Sequence, residues 1–424
     1  MKSFICIFTL SLSFCAFGQT FHTDSIWFEH AHSYRKYKIW LPQDYDSTKR
    51  YQTIYCLDAD LLFNSLVSST EIYSFPDIAK MPPTIVVGLY FDQRNDDMGI
   101  ESDKSQLNET GQAFIGLIKN QLIPEIENAY ATSEYRAIVG HSNSSTFIQF
   151  FLWEEEPEFQ GYLSMSEYEL KKDTEHFCSL SLTHPIDFTF VSAKKDAPYR
   201  YDSGLKHEAI LDSCQPSNFN YKHIILESAD HLTMVPQGIP LGLEELYADY
   251  SSSLPNTDSL LKLIGSQNPV ELMDSLVKMK ADKYDAHASY NFTEIDILFE
   301  LFVQTKDSAN IHLATQKYAE IFQDSSEYFY EAQCLELMGA NRAAEKAYLK
   351  HINYFPVPGV WSYKRLVWLY MSKVVNLDEA LYWCEQGYNA LQEEEFLELI
   401  RKIGKKDKKY QKKADKLVKQ LSES

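Results

Sequence analysis

The feature that most constrains the fold is a change in sequence pattern near residue 253, from alternating strand and helix patterns to helix patterns alone. Before it, short runs of β-branched and aromatic residues alternate with helical stretches, a pattern typical of a mostly parallel, doubly wound sheet covered by helices. The predicted strands are 25–28, 34–41, 53–57, 84–89, 135–139, 187–191 and 223–226. The first two are so close in sequence that we expect an antiparallel hairpin. We therefore predict an α/β domain over residues 19–253.

After residue 253 strand patterns disappear, and residues 254–424 are predicted to be all-α. Small and aromatic residues recur in pairs at Ala314/Tyr318, Ala344/Tyr348 and Ala380/Cys384, with 30 and then 36 residues between successive alanines. This spacing lies on either side of the roughly 34-residue period of tetratricopeptide (TPR) repeats, which residues 328–356 resemble most, with Ala332 and Pro356 near the expected offsets. Trp368 departs from the repeat pattern, because it stands at position eight of the next repeat, where a small residue is usual. A generic helical bundle is the alternative.

The last segment of the chain is basic. From Arg401 onward there are ten Lys and Arg side chains against three acidic ones. Within it Leu417, Val418 and Leu421 are spaced like one face of a helix. We expect a terminal helix that caps the repeats and has a charged outer side, and binding to an anionic surface is the alternative.

Residues 1–18 have the pattern of a cleaved signal peptide. Lys2 precedes an apolar run over 4–17, and small residues, Ala16 and Gly18, stand three and one positions before the expected cut. The run is shorter than the ~20 residues of a membrane-spanning helix. A lipid anchor on Cys15 is disfavoured by bulky Phe14, and a retained anchor is a further alternative. We predict a periplasmic or secreted protein.

Charge and motifs exclude several classes of function. The formal net charge is -20, which disfavours nucleic acid as a partner. The sequence contains no CxxC, HExxH or EF-hand pattern and no GxGxxG or Walker loop, so we predict neither a metal nor a cofactor. Five cysteines remain after residue 18, and Cys178 with Cys214 is the one pair worth testing for a disulfide.

A serine lies at the apex of a predicted strand–turn–helix. Strand 135–139 runs into the pentapeptide Gly140-His141-Ser142-Asn143-Ser144, and an apolar helix follows over 147–153. A nucleophile elbow needs this geometry, because the sharp turn pushes the serine Oγ out of the sheet and frees the next backbone N–H. A G-x-S-x-S pentapeptide alone is weak evidence, since it also occurs by chance.

An acid and a histidine follow in the order that this geometry requires. Asp196 lies in the loop after strand 187–191, and His231 lies in the loop after strand 223–226. Ser142 needs His231 to take its proton, and His231 needs a carboxylate to fix its tautomer. His184, His207 and His223 fit the order or the loop placement less well. Asp202 is the alternative acid.

The first part of the sequence resembles the esterase D and enterochelin-esterase-like branch of the α/β hydrolases. The resemblance covers about residues 22–250. It depends on six blocks in order: Tyr-Lys-Ile-Trp-Leu-Pro at 37–42, Tyr-Cys-Leu-Asp-Ala-Asp at 55–60, Val-Val-Gly-Leu at 86–89 with Arg94 and Asp97, the helix 114–130, Lys-Asp-Ala-Pro-Tyr-Arg at 195–200, and Ala-Asp-His at 229–231.

The resemblance implies an oxyanion hole made by the backbone N–H groups of Asn143 and Asp60. It also places Asp58 and Arg94 beside the site, where they bind substrate or, with Asp97, brace its loops. Ala59 and Ser144 stand where the family has glycine, and neither tolerates a positive φ as glycine does. Loss of one oxyanion donor costs about 10²–10³ in kcat.

Two functions follow from these observations. The first is a serine esterase in which Ser142, Asp196 and His231 hydrolyse a small-molecule ester, such as a siderophore ester, an acyl or feruloyl sugar, or a simple ester. The second is a weak or inactive hydrolase scaffold that binds a protein partner through its helical repeats. The departures at Ala59 and Ser144 motivate the second function, and the ordered serine, acid and histidine favour the first.

Overall fold

The computed structural model describes residues 20–101, 104, 106–251, 257–265, 267–287, 289–322, 327–354 and 360–423. The predicted signal peptide and Pro356 lie outside the described residues. The chain divides into two units: an α/β unit made of residues 20–74, 80–248 and 284–287, and a helical unit made of 75–79, 249–283 and the described residues from 289 onward. The boundary near residue 253 stays a prediction. In the described residues, no helix combines the length and apolar character that crossing a membrane requires.

The α/β unit is built on one eight-stranded sheet with the order β1-β2-β4-β3-β5-β6-β7-β8. The strands are β1 (Thr20–Phe28), β2 (Ser33–Leu41), β3 (Tyr51–Cys56), β4 (Thr84–Leu89), β5 (Thr132–His141), β6 (Gly161–Met165), β7 (Ile186–Ala193) and β8 (Phe219–Leu226). β1 pairs antiparallel with β2, and β2 pairs antiparallel with β4, whereas the remaining pairs are parallel. The predicted hairpin and mostly parallel sheet are therefore confirmed.

Seven of the strands were expected from the sequence, and β6 was not. All five residues of β6 are buried, so the segment lacks the alternation of polar and apolar residues that marks a half-exposed strand. It also begins with Gly161, and glycine is a poor strand former. Burial of β6 between β5 and β7 therefore depends on its neighbours more than on its own composition.

Helices connect the strands of the α/β unit. They are α1 (Ala59–Tyr73), α2 (Arg94–Met98), α3 (Glu109–Leu117), α4 (Ile123–Ala129), α5 (Asn143–Leu152), α6 (Asp173–Ser179), α7 (Pro198–Cys214) and α8 (Met234–Leu246). A π-helical turn joins α3 to α4. α5 packs on β5 and β6, α7 packs on β7 and β8, and α8 packs on β6, β7, β8 and α1. These helices cover the sheet, and the loops that follow the parallel strands all lie at the carboxyl edge of the sheet.

The α/β unit also includes a short segment from later in the chain. Tyr284 is fully buried, and its ring centroid lies 5.0 Å from that of Tyr135 and 5.2 Å from that of Tyr247. Its carbonyl accepts a hydrogen bond from Ser133 Oγ at 3.3 Å, and Asp285 Oδ2 accepts one from the backbone N–H of Glu134 at 3.0 Å. Residues 284–287 thus complete an aromatic cluster of this unit.

The described residues of the helical unit form helices joined by turns, and they contain no strand. After α9 (Ala248–Ser251) these are α10 (Thr257–Ile264), α11 (Pro269–Asp282), α12 (Phe292–Thr305), α13 (His312–Phe322), α14 (Glu327–Leu337), α15 (Asn341–Tyr354), α16 (Val360–Ser372), α17 (Leu377–Leu391), α18 (Glu394–Lys406) and α19 (Lys408–Ser422). Consecutive helices pack on each other from α11 to α19. Three alanines of this unit are fully buried: Ala332, Ala344 and Ala380. Small residues at such positions let paired helices approach closely. The TPR-like interpretation stays a prediction.

The basic end of the chain forms two helices, α18 and α19, which pack on each other. Leu417 and Leu421 are buried together with Ala414, and Val418 is half-buried. The lysines of α19 lie on the opposite, exposed side. This arrangement suits a terminal helix that covers the apolar face of its neighbour.

The structure joins Cys178 at the end of α6 to Cys214 at the end of α7 in a disulfide. Their Cα atoms are 5.1 Å apart, within the range usual for disulfides. Cys56, Cys334 and Cys384 are unpaired thiols.

Candidate active site

The predicted elbow is present at the end of β5. Ser142 has φ 62° and ψ -125°, a conformation that is costly for a residue with a side chain, and α5 begins at the next residue. Gly140 permits the turn, because a Cβ at that position would lie 2.5 Å from the carbonyl oxygen of Ser144. The strained turn lifts the Ser142 hydroxyl out of the sheet.

The structure brings Ser142, His231 and Asp196 into one hydrogen-bonded chain. His231 Nε2 lies 3.1 Å from Ser142 Oγ, and His231 Nδ1 lies 3.0 and 3.1 Å from the two carboxylate oxygens of Asp196. Asp196 follows β7 and His231 follows β8, so both approach Ser142 from the carboxyl edge of the sheet. This arrangement can remove a proton from the Ser142 hydroxyl.

The Asp196 carboxylate is buried and held by several donors. Its side chain is 2% exposed. Burial alone would raise the pKa of Asp196, but hydrogen bonds from His231, Ser166 and the backbone N–H of Ala197 outweigh it and lower the pKa. The group is therefore a carboxylate at neutral pH and favours a proton on His231 Nδ1.

Ser166 is a site residue that sequence reasoning missed. Its hydroxyl donates to Asp196 Oδ2 and lies 3.0 Å from His231 Nδ1. It follows β6 directly and has φ 58°, so a second strained residue lies beside Ser142. Recognition of β6 in the sequence would have placed Ser166 at the same sheet edge as the other site residues.

His141 is a second residue that was missed. It is 2% exposed, its Nε2 donates to the carbonyl oxygen of His231 at 2.7 Å, and the two ring centroids are 4.7 Å apart. Burial, and then the nearby His231, lower the pKa of His141 to about 4. His141 is thus neutral at pH 7 and holds the backbone of the His231 loop against the elbow.

Of the histidines that sequence reasoning set aside, His207 lies in a buried charged cluster. It is fully buried in α7, with Nδ1 2.5 Å from Glu167 Oε1 and Nε2 2.6 Å from Asp173 Oδ2. Burial would lower its pKa, but the two carboxylates raise it above the ordinary value. Both of its nitrogens are engaged, which excludes it from the proton relay of Ser142.

The proposed oxyanion donors lie at two neighbouring helix N-termini. Asn143 is the first residue of α5 and Asp60 is the second residue of α1, so neither N–H has an acceptor inside its helix. Ser144 Oγ donates to Asp58 Oδ2 at 2.6 Å, which holds the starts of the two helices together. Helix N-termini favour developing negative charge. The oxyanion role of these two groups stays a prediction.

The two departures from glycine do not disturb the turns. Neither Ala59 nor Ser144 has a positive φ; Asp58, with φ 52°, and Ser142 have it instead. The Ser144 hydroxyl adds bonds, because it accepts from the backbone N–H of His141 at 2.9 Å while donating to Asp58. The reason to expect strain at these two positions is therefore removed.

Asp58 and Arg94 pair with each other. Arg94 Nε and Nη2 lie 2.5 and 2.7 Å from the two oxygens of Asp58, and Nη2 also donates to the carbonyl of His141 at 3.0 Å. Burial lowers the pKa of Arg94, but the bonds to Asp58 outweigh it and raise the pKa. Asp97 instead pairs with buried Arg35. These carboxylates brace loops, and substrate binding by Asp58 or Arg94 stays a prediction.

A pocket of about 460 Å³ opens beside the histidine and the acid. It is lined by Lys195, Asp196, Ala197, Tyr199, Arg200, Asp230, His231 and Leu232. The described residues contain no group of three His, Cys, Asp or Glu side chains arranged to hold a metal ion.

Comparisons with known proteins agree with this architecture. Residues 30–168 match the family model described as "Putative esterase". An uncharacterised protein from Capnocytophaga ochracea is 16% identical with a TM-score of 0.59, over 83% of this chain and 100% of that one. An IroE-like serine hydrolase from Shewanella oneidensis is 15% identical with a TM-score of 0.54, over 76% of this chain and 99% of that one. At these identities the two structures show the shared fold. No curated protein matches the sequence significantly.

Proposed function

We propose that the α/β unit, of which residues 30–168 match the family model described as "Putative esterase", cleaves carboxylic esters through a serine acyl-enzyme. The observation that carries the proposal is the chain of hydrogen bonds from Ser142 Oγ through His231 to Asp196. A serine on a strained elbow, a histidine within hydrogen-bond distance and a buried carboxylate behind it are the parts that acyl transfer requires.

In the first half of the reaction, Ser142 Oγ attacks the ester carbonyl and His231 Nε2 takes its proton. The negative charge that develops on the carbonyl oxygen is stabilised by the N–H groups of Asn143 and Asp60 at the two helix N-termini. Asp196 stabilises the imidazolium that forms. His231 then gives the proton to the leaving alcohol, and an ester of Ser142 with the acyl group remains.

In the second half, water attacks the acyl carbon while His231 takes its proton; His231 then returns that proton to Ser142 Oγ as the acyl–oxygen bond breaks and the carboxylic acid leaves. Ser166 contributes by fixing Asp196 relative to His231, and His141 contributes by fixing the His231 backbone. The same oxyanion donors act in both halves, because both pass through a tetrahedral oxyanion.

The substrate in this proposal is a small-molecule ester, with a siderophore ester, an acyl or feruloyl sugar and a simple ester as the candidate classes. The open pocket beside His231 suits a small ester. The pattern of residues 1–18 supports action in the periplasm or outside the cell. The paired helices of the helical unit support a role in binding a protein partner.

Labelling with a fluorophosphonate probe tests the mechanism, because the probe reacts with activated serines and leaves ordinary hydroxyls unmodified. We expect the intact protein to take one label at Ser142 and Ser142→Ala to take none. Ser228→Ala, an exposed serine in the loop before His231, is the matched control and should label like the wild type. Absence of label on the folded wild-type protein, while a known serine esterase labels, contradicts the proposal.

The alternative of an inactive scaffold was motivated by Ala59 and Ser144. The ordinary backbone at both positions, and the bonds that Ser144 makes, weaken that motivation. The labelling experiment also decides between these functions, since a scaffold without an activated serine takes no label.

A further inference from the structure

The pocket beside His231 contains an arginine whose charge is not neutralised. Arg200 is 7% exposed, and no carboxylate oxygen of the described residues lies within 4 Å of its guanidinium. Within the described residues its three hydrogen bonds go to neutral oxygens: Nε to Tyr199 Oη at 3.2 Å, Nη1 to the Ser166 carbonyl, and Nη2 to Asn143 Oδ1 at 2.8 Å. A guanidinium has five donors, so two remain for a ligand.

The surroundings of Arg200 favour a further negative charge. Burial of a cation without a counter-ion is unfavourable, and Arg200 also lies in the first turn of α7, where the helix dipole disfavours a cation. Its guanidinium carbon lies 5.3 and 5.4 Å from the ring centroids of Tyr168 and Tyr199, which compensates in part. An anion against the guanidinium would complete the compensation.

Other cations lie near the same pocket. Lys195 is exposed in the lining, and no carboxylate of the described residues pairs with it. Lys104 Nζ lies 4.4 Å from the ring centroid of Tyr168. The two acids of the lining are already engaged: Asp196 by His231, and Asp230 Oδ1 by the backbone N–H groups of Leu232 and Thr233 and by Thr233 Oγ1.

We propose that this pocket binds a carboxylate on the leaving-alcohol side of the ester, with Arg200 as its main partner and Lys195 as a second. This rests on the proposed esterase function. The alcohol side is chosen because His231, which gives its proton to the leaving oxygen, lines the pocket. Arginine is suited to the task, since its planar donors match the two oxygens of a carboxylate.

Two esters that differ only in charge test the proposal on the full chain. 4-Acetoxybenzoate has a carboxylate on the leaving group, and 4-acetoxybenzamide is its neutral counterpart. We expect wild-type kcat/KM to favour the anion by about tenfold or more, mainly through a lower KM. The preference should fall as ionic strength rises.

Variants separate anion binding from a structural role of Arg200. Arg200→Met loses the bonds to Ser166 and Asn143 and slows both esters, but only anion binding predicts that the ratio of the two kcat/KM values also collapses towards one. Lys195→Gln, an exposed change, should lower the ratio severalfold and keeps the test valid if Arg200→Met does not fold. Lys194→Gln, which affects a lysine paired with Glu227 outside the lining, is the matched control and should keep the wild-type ratio.

The outcomes distinguish failure of this proposal from failure of the esterase function. If the wild type hydrolyses both esters equally, or if neither Arg200→Met nor Lys195→Gln changes the ratio, the esterase function stands and the carboxylate site is wrong. If neither ester is hydrolysed, the esterase function is wrong, and calorimetric titration with 4-hydroxybenzoate and 4-hydroxybenzamide then shows whether the pocket binds a carboxylate. Binding of the anion alone, lost in Arg200→Met or weakened in Lys195→Gln, supports the site, and equal or absent binding overturns it.

Discussion

The two units use residues with a positive φ for different purposes. In the α/β unit Asp58, Ser142 and Ser166 have φ between 52° and 62°, and each lies between a strand end and the site. In the helical unit Lys306 and Gln392, with φ 56° and 57°, end α12 and α17. A left-handed residue after a helix closes the helix at little cost, whereas a residue with positive φ after a strand turns a side chain or a helix start towards the candidate site.

This comparison implies that the strained residues at the sheet edge of the α/β unit serve the geometry of the candidate site, whereas Lys306 and Gln392 only end helices. Changes at the sheet edge should therefore affect turnover first. Changes in the helical core should affect stability alone.

The largest effect is expected at the acid. Asp196→Asn keeps the size of the side chain but removes the charge that favours a proton on His231 Nδ1 and stabilises the imidazolium. We expect kcat for 4-nitrophenyl acetate to fall by about 10⁴-fold with little change in melting temperature. Asp202→Asn, the alternative acid and an exposed residue of α7, is the control, and a comparable loss there would reassign the acid.

The next effect is a pH dependence of stability. The pKa of His141 is about 4 in the folded protein against 6.5 in the unfolded chain, so the unfolded state binds more protons between these values and stability rises with pH across this window. The contribution is complete above pH 6.5, lost as the pH falls to 4, and amounts to about 3 kcal/mol. Hydrogen exchange of β5 peptides, corrected for intrinsic rates, should show this rise.

His141→Gln should remove that part of the pH dependence, because glutamine does not titrate. His184→Gln, at an exposed loop position, should leave the dependence as it is in the wild type. Equal pH profiles for the wild type and His141→Gln would show that the buried imidazole is not the group responsible.

A substitution in the core of the helical unit should lower stability without lowering turnover, the opposite of the result expected at Asp196. Ala344 is fully buried, and Ala344→Leu forces extra volume between packed helices, which should destabilise this unit by about 1–3 kcal/mol. We expect kcat to stay at the wild-type value at temperatures where the variant is folded. Lys346→Leu, on the exposed side of the same helix, controls for added apolar volume. A loss of kcat in Ala344→Leu at temperatures where the variant is folded would show that the helical core affects turnover as well as stability.

The smallest effect is expected at Ser144. Ser144→Gly introduces the residue usual in the esterases that the sequence resembles but leaves Asp58 Oδ2 without one donor. We expect a loss of about 1–2 kcal/mol in unfolding free energy and a roughly tenfold lower kcat. If the variant is instead as active as the wild type or more so, the hydroxyl has no role and Ser144 is only a small residue in a tight turn.

The fold was largely predictable because most of its strands are short runs rich in β-branched and aromatic residues that alternate with helical stretches. The strand β6 escaped prediction because it is short, fully buried and contains glycine, so its strand character comes from hydrogen bonds to β5 and β7. Such non-local bonds leave no pattern in the five residues themselves.

The site was predictable where chain order carries information. Ser142, Asp196 and His231 follow strands in a fixed order, and the structure brings them together. Ser166 was hidden because β6 was missed. The contacts of His141 and Arg200 could not be predicted, although both residues stand in the motifs quoted from the sequence. His141 bonds to a backbone carbonyl of the His231 loop, and Arg200 bonds to the Ser166 carbonyl and the Asn143 amide, partners that come together only in three dimensions.

The position of Tyr284 in the α/β unit limits where gene recombination could separate the two units without loss of packing. The chain leaves that unit at residue 249, returns at 284–287 to fill the aromatic cluster with Tyr135 and Tyr247, and leaves again. A single recombination point near residue 253 would thus deliver an α/β unit that lacks part of its aromatic cluster. Exchange of the two parts between genes as separate modules is disfavoured, and they are expected to descend together.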